Sequence, residues 1–327
     1  MPARPSSRHV TPRPVHRHRL GRVLAVLLTA GSLVTGGAGV ASGSAGTLAA
    51  ASTGSRVAPE PSAVDQVAGA RASAKAARQQ VTVKAPAAAR TGGTLTLSGT
   101  VSPARSGLKV SVQRRYDGRW HAVTSTRLTA KGTWSVATRT PAGRGWLRYR
   151  VVVAKNGNLP ARTVEAARVD NYTRHTYVVR KRGTITVSMK DFAAQAAQTY
   201  ADKRGWRAGH HRFVRVAKGG DFTLVLAEAK YLPSYSSVCS VKYSCRAGRY
   251  VIINQNRWRR GSAPFTGTLR DYRHMVVNHE TGHWLGRHHE FCGGKDELAP
   301  VMQQQSKGLQ GCRPNAWPLA AELKAVA

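Results

Sequence analysis

Three histidines and one glutamate lie close together in the segment HETGHWLGRHH, which spans residues 279–289. His279 and His283 are four residues apart, so on a helix their rings project from one face and can share a metal ion. Glu280 lies beside that pair, where it can act on a water molecule without being a ligand. Three imidazoles that leave a fourth position open are typical of a catalytic zinc site. The spacing therefore predicts one catalytic Zn²⁺ held by His279, His283 and His289, with Glu280 as the general base.

Gly286 lies where the helix has to end if a third histidine is to return to the first two. A reversal so soon after His283 usually requires a positive φ, which glycine adopts without strain. We take His289 as the third ligand on spacing, and the adjacent His288 is the alternative. Two other interpretations stay open: the histidines of a metal-free helix can simply pack, and a zinc site can be catalytically idle.

The segment resembles the H-E-x-x-H-x-x-G-x-x-H motif of metzincin-type zinc metallopeptidases, and the likeness continues downstream. By this resemblance Met302, in the run APVM at residues 299–302, is the methionine of a tight turn that forms an apolar floor under the metal. Residues 279–318 are also similar to an uncharacterised domain family of secreted proteins from high-GC Gram-positive bacteria, which is grouped with zincin peptidases. The resemblance implies a zinc-dependent endopeptidase that hydrolyses proteins or peptides through a zinc-activated water.

The chain departs from the metzincin pattern at one position that bears on catalysis. Several metzincin groups have a tyrosine two residues after the floor methionine, where it can stabilise the oxyanion, but here that residue is Gln304. The oxyanion donor is therefore left open. The resemblance also implies that residues 250–255, the last strand before the zinc helix, form a rim along which an extended substrate adds as a further strand.

The first residues have the composition of an export signal. Arginine and histidine crowd residues 1–22, an apolar run follows to about residue 34, and small residues offer cleavage sites near Ala41 or Ala45. This pattern predicts a secretory signal peptide over residues 1–41. The apolar run is short for a membrane-spanning helix, although an uncleaved anchor is the alternative. We expect a secreted protein, extracellular or associated with the cell envelope, with no membrane span after signal removal.

The four cysteines fit an oxidising compartment, where an even number suggests disulfides. Two local bridges are the simplest arrangement. Cys239 and Cys245 would close a small loop upstream of the zinc helix, and Cys292 and Cys312 would bracket the methionine turn. A thiolate of Cys292 as a metal ligand is the alternative.

The formal net charge of +36 is extreme for a globular protein and raises the question of nucleic-acid binding. The basic residues are scattered, however, and no nucleic-acid-binding module is recognisable, so nucleic acid is not expected as a partner. A cationic surface outside the cell would instead meet anionic cell-wall polymers or acidic substrates through long-range attraction. A surface charge bias without any partner is an equal alternative.

Composition divides the remaining chain into three segments. Residues 42–80 are rich in alanine, serine and glycine and predict a flexible linker. Residues 81–169 contain short runs of alternating apolar and polar residues separated by turn residues, which predicts an Ig-like β-sandwich. Residues 171–327 would then form the zinc metallopeptidase domain, because they contain every candidate ligand and base.

Within this last segment, apolar runs predict strands at residues 177–179, 185–187, 213–216, 222–226 and 250–254. Helices are predicted from Ser188 to about residue 204 and over residues 269–285. The predicted fold class is therefore multidomain, with an α+β zincin-like or metzincin-like catalytic domain preceded by an all-β Ig-like sandwich. A catalytically idle protein of this fold that binds a surface or mediates adhesion is the alternative function, and a cationic nucleic-acid-binding protein is a second alternative.

Overall fold

The structure is a computed structural model that describes residues 77–326, all within one compact unit that spans residues 73–327. The predicted signal peptide, residues 1–41, and residues 42–76 of the predicted linker lie outside the described residues. Among residues 77–326, no helix is long and apolar enough to cross a membrane.

The described chain contains fourteen strands and four α-helices. The strands are β1 (Gln80–Val81), β2 (Ala88–Arg90), β3 (Thr94–Ser102), β4 (Lys109–Tyr116), β5 (Arg119–Arg127), β6 (Thr133–Arg139), β7 (Gly145–Leu147), β8 (Tyr149–Val153), β9 (Arg162–Glu165), β10 (Val169–Arg182), β11 (His211–Arg215), β12 (Phe222–Ala227), β13 (Cys245–Ala247) and β14 (Tyr250–Asn254). The helices are α1 (Met189–Ala201), α2 (Gln255–Arg260), α3 (Leu269–Trp284) and α4 (Ala320–Lys324).

The N-terminal half consists of two antiparallel sheets around one apolar core. One sheet has the order β1-β3-β6 and the other the order β5-β4-β8-β9. Side chains alternate between the two faces of a strand, so in β4 Val110 and Val112 are fully buried while Lys109 is exposed. Leu97 of β3 and Val151 of β8 complete the centre of the same core.

The C-terminal half is built on a mixed sheet with the order β11-β10-β12-β14-β13. The pairs among β11, β10, β12 and β14 are parallel, and β13 pairs antiparallel with β14. Every residue of β12 is buried, as expected for a central parallel strand covered on both faces. Helices α1 and α3 share one apolar core with this sheet, to which Phe192, Leu224 and Val277 belong.

Strand β10 connects the two halves. Its first residues pair with β2 and β7 on the sandwich side, and the following residues pair with β11 and β12. Asp170, near the start of β10, also accepts hydrogen bonds from His210 and Arg212 at 2.6 Å each. One continuous fourteen-residue strand therefore belongs to both parts of the structure.

The predicted fold class, a multidomain chain with an α+β zincin-like or metzincin-like catalytic domain after an Ig-like sandwich, is wrong. Strands take up 35% and helices 20% of the described residues, so the structure is predominantly β. The predicted domain boundary near residue 170 falls inside the single strand β10, which spans Val169–Arg182. The division into residues 81–169 and 171–327 stays a prediction.

Three local predictions also need correction. Residues 185–187 form no strand, and α1 ends at Ala201 rather than near residue 204. Strand β14 is not the rim of the sheet, because β13 pairs with it on the outer side. The short run Cys245–Ala247 was too brief to be read as a strand from its sequence.

Candidate metal centre

Helix α3 carries the first two histidines of the candidate site. The Thr268 side chain caps its first turn by accepting a hydrogen bond from the Asp271 backbone N–H at 3.0 Å. The helix ends at Trp284, within one residue of the predicted end. His279 is buried and His283 is half-buried near the C-terminal end, where both rings reach the same cleft.

Gly286 makes the turn that the sequence predicts. Its φ is +91°, in the region that favours glycine. The Arg287 N–H then donates to the Gly282 carbonyl at 2.9 Å, and the Arg287 carbonyl accepts from His283 Nδ1 at 2.9 Å. The turn therefore orients His283 and also returns the chain so that His289 reaches the other two histidines.

The three histidines converge through their Nε2 atoms. His283 Nε2 lies 3.2 Å from His279 Nε2 and 3.1 Å from His289 Nε2, and all three ligand atoms lie within 4.8 Å of one another. His279 Nδ1 donates to the Val301 carbonyl at 2.8 Å. Carbonyl oxygens only accept, so Nδ1 of His279 and of His283 carries the proton in both neutral rings, and Nε2 is a lone-pair donor.

The electrostatics of this arrangement fit a bound cation. Burial is the main cause that lowers the pKa of His279 to about 3 and of His283 to about 4, so both rings are neutral at neutral pH. Two imidazole lone pairs directed at each other across 3.2 Å repel unless a cation lies between them. Mutual separations of this size suit a tetrahedral ion whose bonds to nitrogen are about 2.0–2.1 Å.

Glu280 lies beside the histidines in the wall of the cleft. The residue is 5% exposed, and within residues 77–326 no group donates a hydrogen bond to its carboxylate. Burial raises the pKa of Glu280 to about 8, and the positive charge of Arg246 opposes that rise. A cation held by the histidines would favour the ionised form further. The carboxylate is therefore left available for a ligand in the cleft.

Met302 packs against the segment of α3 that carries His279 and His283, and its role as an apolar floor under a metal stays a prediction. It is completely buried, and the space that a Cβ at Gly282 would need is filled by Met302 Sδ and by the Trp206 ring. The glycine between the two histidines of α3 is thus required for close approach of the methionine. Sequence analysis gave Gly282 no role, although a small residue inside a ligand-bearing helix was a usable signal.

Glu322 of α4 supports the floor, and sequence analysis missed it. Its buried carboxylate accepts hydrogen bonds from the backbone N–H groups of Val301 at 3.0 Å, Met302 at 2.7 Å and Leu319 at 2.6 Å. Since the Val301 carbonyl accepts from His279, Glu322 holds the backbone segment that orients a candidate ligand. No local pattern distinguishes this glutamate, because its partners lie about twenty residues away.

The four cysteines form the two pairs expected from the sequence. The Cα atoms of Cys239 and Cys245 are 5.6 Å apart, and those of Cys292 and Cys312 are 5.7 Å apart. The second bridge joins Cys292, three residues after His289, to Cys312, ten residues after Met302. Cys292 is therefore bonded to sulfur and is not a metal ligand.

The centre opens into a cleft of about 390 Å³. Residues of the loop before β13, of α3 and of the segment 303–307 line it. Gln304, which stands in place of the metzincin tyrosine, lies in this lining. His288 is exposed and does not join the histidine cluster, so the structure brings together His279, His283 and His289.

Comparison with known proteins gives a family but no activity. Residues 151–319 match a family described as protein of unknown function (DUF3152). A search of curated proteins found no match. The sulfur carrier protein SoxY from Chlorobium limicola f thiosulfatophilum is 20% identical and covers 28% of this chain and 77% of its own, with a TM-score of 0.21. A CARDB domain from Pyrococcus furiosus, solved in complex with di-metal ions, is 16% identical and covers 28% of this chain and 91% of its own, with a TM-score of 0.20. Likeness at this level assigns neither fold nor function.

Proposed function

The chain belongs to the family described as protein of unknown function (DUF3152), whose description carries no activity, so we propose from the site alone that the protein is a zinc-dependent endopeptidase. The observation that carries this proposal is the convergence of the Nε2 atoms of three histidines beside a buried carboxylate that no described group engages. A purely structural histidine cluster would leave no reason for such a carboxylate to face an open cleft.

Zinc is the proposed metal because the donor set is three neutral imidazoles. Carboxylate and carbonyl oxygens, which hard cations such as Mg²⁺ and Ca²⁺ prefer, are absent from the three-histidine cluster among the described residues. His279, His283 and His289 would hold the ion. When bound, zinc would supply Lewis-acid polarisation of a carbonyl and a water of lowered pKa.

The protein's own groups would then carry the proton transfers. Glu280 accepts a proton from the attacking water and delivers it to the nitrogen of the leaving amine. The Val301 and Arg287 carbonyls keep His279 and His283 in the tautomer with a free Nε2. Met302 excludes water from beneath the histidines. The cleft is open on one side, which suits an extended peptide better than a small enclosed ligand.

Secretion is part of the same proposal. Two disulfides are stable in an oxidising compartment and rare in a reducing one. Together with the predicted signal peptide, they support an extracellular or envelope-associated enzyme that meets protein or peptide substrates. Its positive charge would attract anionic polymers of a cell wall.

The test is the substitution Glu280→Gln in the zinc-loaded protein. Glutamine keeps the size of the side chain and all three ligands, so zinc content and the unfolding midpoint should stay unchanged while proton abstraction is lost. General-base catalysis typically contributes about 10²- to 10⁴-fold, and peptide turnover should fall by at least that much. Zinc is measured by elemental analysis and turnover with a fluorogenic peptide library.

Glu165→Gln is the matched control, because it makes the same chemical change on the exposed surface of the sandwich. This control should cleave peptides at the parent rate. A Glu280→Gln protein that holds one zinc ion and keeps near-parent turnover would overturn the mechanism. A parent protein that binds zinc and cleaves no peptide would instead match the catalytically idle alternative.

A further inference from the structure

Two positively charged side chains flank the candidate centre from different elements. Arg246 lies in the edge strand β13, which precedes helix α3 in the chain. Lys307 lies five residues after Met302 and therefore follows α3. Both line the same cleft as the three histidines and Glu280. Both are exposed, so a ligand in the cleft can reach them.

Neither cation is neutralised by the protein. Among residues 77–326, no carboxylate forms an ion pair with Arg246 or Lys307, and neither side chain donates a hydrogen bond to another residue. Of the described residues that line the cleft, Glu280 alone is acidic. The Lys307 ammonium group is 5.6 Å from the centre of the Tyr243 ring, which places it over an aromatic wall of the cleft.

The charges of these two side chains affect the pKa values of the residues at the centre. Lys307 contributes to the lowered pKa of His279 and His289, after the larger effect of burial. Arg246 likewise contributes to the lowered pKa of His283 and opposes the raised pKa of Glu280. The cleft therefore has a positive potential before any metal is bound, and a divalent cation would increase it.

We propose that Arg246 and Lys307 select substrates that place a carboxylate beside the bond to be cleaved. The arginine fork can bind a carboxylate through two parallel hydrogen bonds, and the lysine adds a second point charge. In a peptide that is cleaved internally this carboxylate is the side chain of aspartate or glutamate, and a terminal carboxylate beside the bond is the other source that the experiment separates. This inference rests on the proposed endopeptidase function, since it names the substrate class of the same site.

The experiment compares matched peptides that carry glutamate, glutamine or lysine at each position around one cleavage site, with both ends blocked. We expect kcat/KM for the best glutamate peptide to exceed that of its glutamine partner by about 10-fold or more, because charged hydrogen bonds contribute about 1.5–3 kcal/mol. Salt should reduce this ratio, since exposed charges are screened. A second set with free or amidated C-termini separates a terminal carboxylate from a side-chain carboxylate.

Substitutions test whether the two cations cause the preference. Arg246→Gln and Lys307→Gln should each lower the glutamate-to-glutamine ratio severalfold, and the double variant should bring it close to one. Lys242→Gln is the control. It removes an exposed charge from the loop before β13, at a residue that does not line the cleft, and it should keep the parent ratio. A parent ratio of one, or a preference that survives in the double variant, would overturn the inference.

Binding separates this inference from the proposed catalysis. Fluorescence anisotropy with the zinc-loaded Glu280→Gln protein measures the affinity for the same peptides without turnover. Tighter binding of carboxylate peptides that depends on Arg246 and Lys307 would support the inference even if the parent protein cleaves nothing. Equal binding of the glutamate and glutamine peptides would refute it even if the parent protein is an active peptidase.

Discussion

The two halves of the described chain bury different kinds of side chain. The centre of the N-terminal sandwich is apolar, with residues such as Leu97, Val110 and Val151 completely enclosed. The C-terminal half also encloses carboxyl and imidazole groups, among them Glu280 and Glu322, whereas the polar residues buried within residues 77–169 are uncharged ones such as Gln79 and Thr140. Strands of both halves pair with β10, so the difference exists within one compact unit.

The two halves also differ in what their buried side chains require for stability. An apolar core needs only close packing, whereas each buried polar group must find a partner or lose stability. Around α3 those partners are specific: Val301 for His279, Arg287 for His283, and three backbone N–H groups for Glu322. Glu280 differs from these groups, since no described residue donates to its carboxylate, and the Oδ1 atom of Asn278 is also without a partner. A carboxylate that lines the cleft beside the three histidines is what the proposed general base requires.

The largest expected effect is on zinc affinity, and it distinguishes the candidate ligand His289 from the adjacent His288. His289→Ala should reduce zinc affinity by more than about 100-fold, because losing a direct ligand should exceed the 10–100-fold effect of losing an outer-shell partner. Peptide turnover should disappear with the metal. His288→Ala, the adjacent exposed histidine, is the control and should keep both. Competition with a zinc chelator measures the affinities, and the reverse order of effects would place the third ligand at His288.

A second substitution tests whether the sandwich core contributes only to stability and not to the metal centre. Leu97→Ala leaves a cavity in a fully buried position and should lower the unfolding free energy by about 2–5 kcal/mol. Zinc affinity and kcat/KM should stay at parent values when measured well below the unfolding midpoint. Denaturant unfolding and turnover of one peptide provide the two readings. A proportional fall in zinc affinity would show that the sandwich core helps to build the site.

Glu322→Gln gives the complementary test in the C-terminal half. An amide replaces a carboxylate that accepts three backbone hydrogen bonds, and we expect a loss of about 1.5–3 kcal/mol of unfolding free energy. Because the same segment orients His279, zinc affinity should fall about 10- to 100-fold. Glu165→Gln on the sandwich surface removes only an exposed ion pair with Arg148, so it should leave zinc affinity unchanged and change the unfolding free energy by less than about 1 kcal/mol. A Glu322→Gln protein with lower stability but unchanged zinc affinity would restrict Glu322 to a structural role.

The smallest expected effect concerns pH. His175 Nε2 lies 2.7 Å from His211 Nδ1, and burial lowers the pKa of these residues to about 4 and about 3. Because both values lie below the ordinary value of 6.5, the stabilisation from the neutral pair is present above pH 6.5 and is lost as the pH falls toward 4. The zinc-loaded protein should lose on the order of 1 kcal/mol from this pair between pH 7 and 6. His211→Gln should flatten that part of the pH dependence.

Hydrogen exchange places this pH effect in one half of the molecule. Amides of β11, which carries His211, should lose protection as the pH falls after correction for intrinsic exchange rates, while amides of β4 should lose less. Equal loss of protection in both strands would mean that the two halves unfold as one unit and would remove the contrast between them.

The sequence by itself determined the candidate centre. Ligand spacing on a helix is local, since four residues bring His279 and His283 to one face, and a glycine with positive φ is local as well. Helix α3, the turn at Gly286 and the two cysteine pairs could therefore be predicted from short segments. The fold class could not, because the predicted domain boundary near residue 170 falls inside the continuous strand β10.

Only the tertiary structure decided what surrounds the centre. Glu322 reaches the methionine loop from about twenty residues away, and Gly282 matters only because Met302 packs against it. Strand β13 was too short to be recognised, yet it forms the sheet edge and carries Arg246 into the cleft. Spacing along a helix is fixed by covalent geometry, whereas contacts between distant segments depend on the packing of the whole core. The ligands could therefore be read from the sequence, while their supports and the charge around them required the fold.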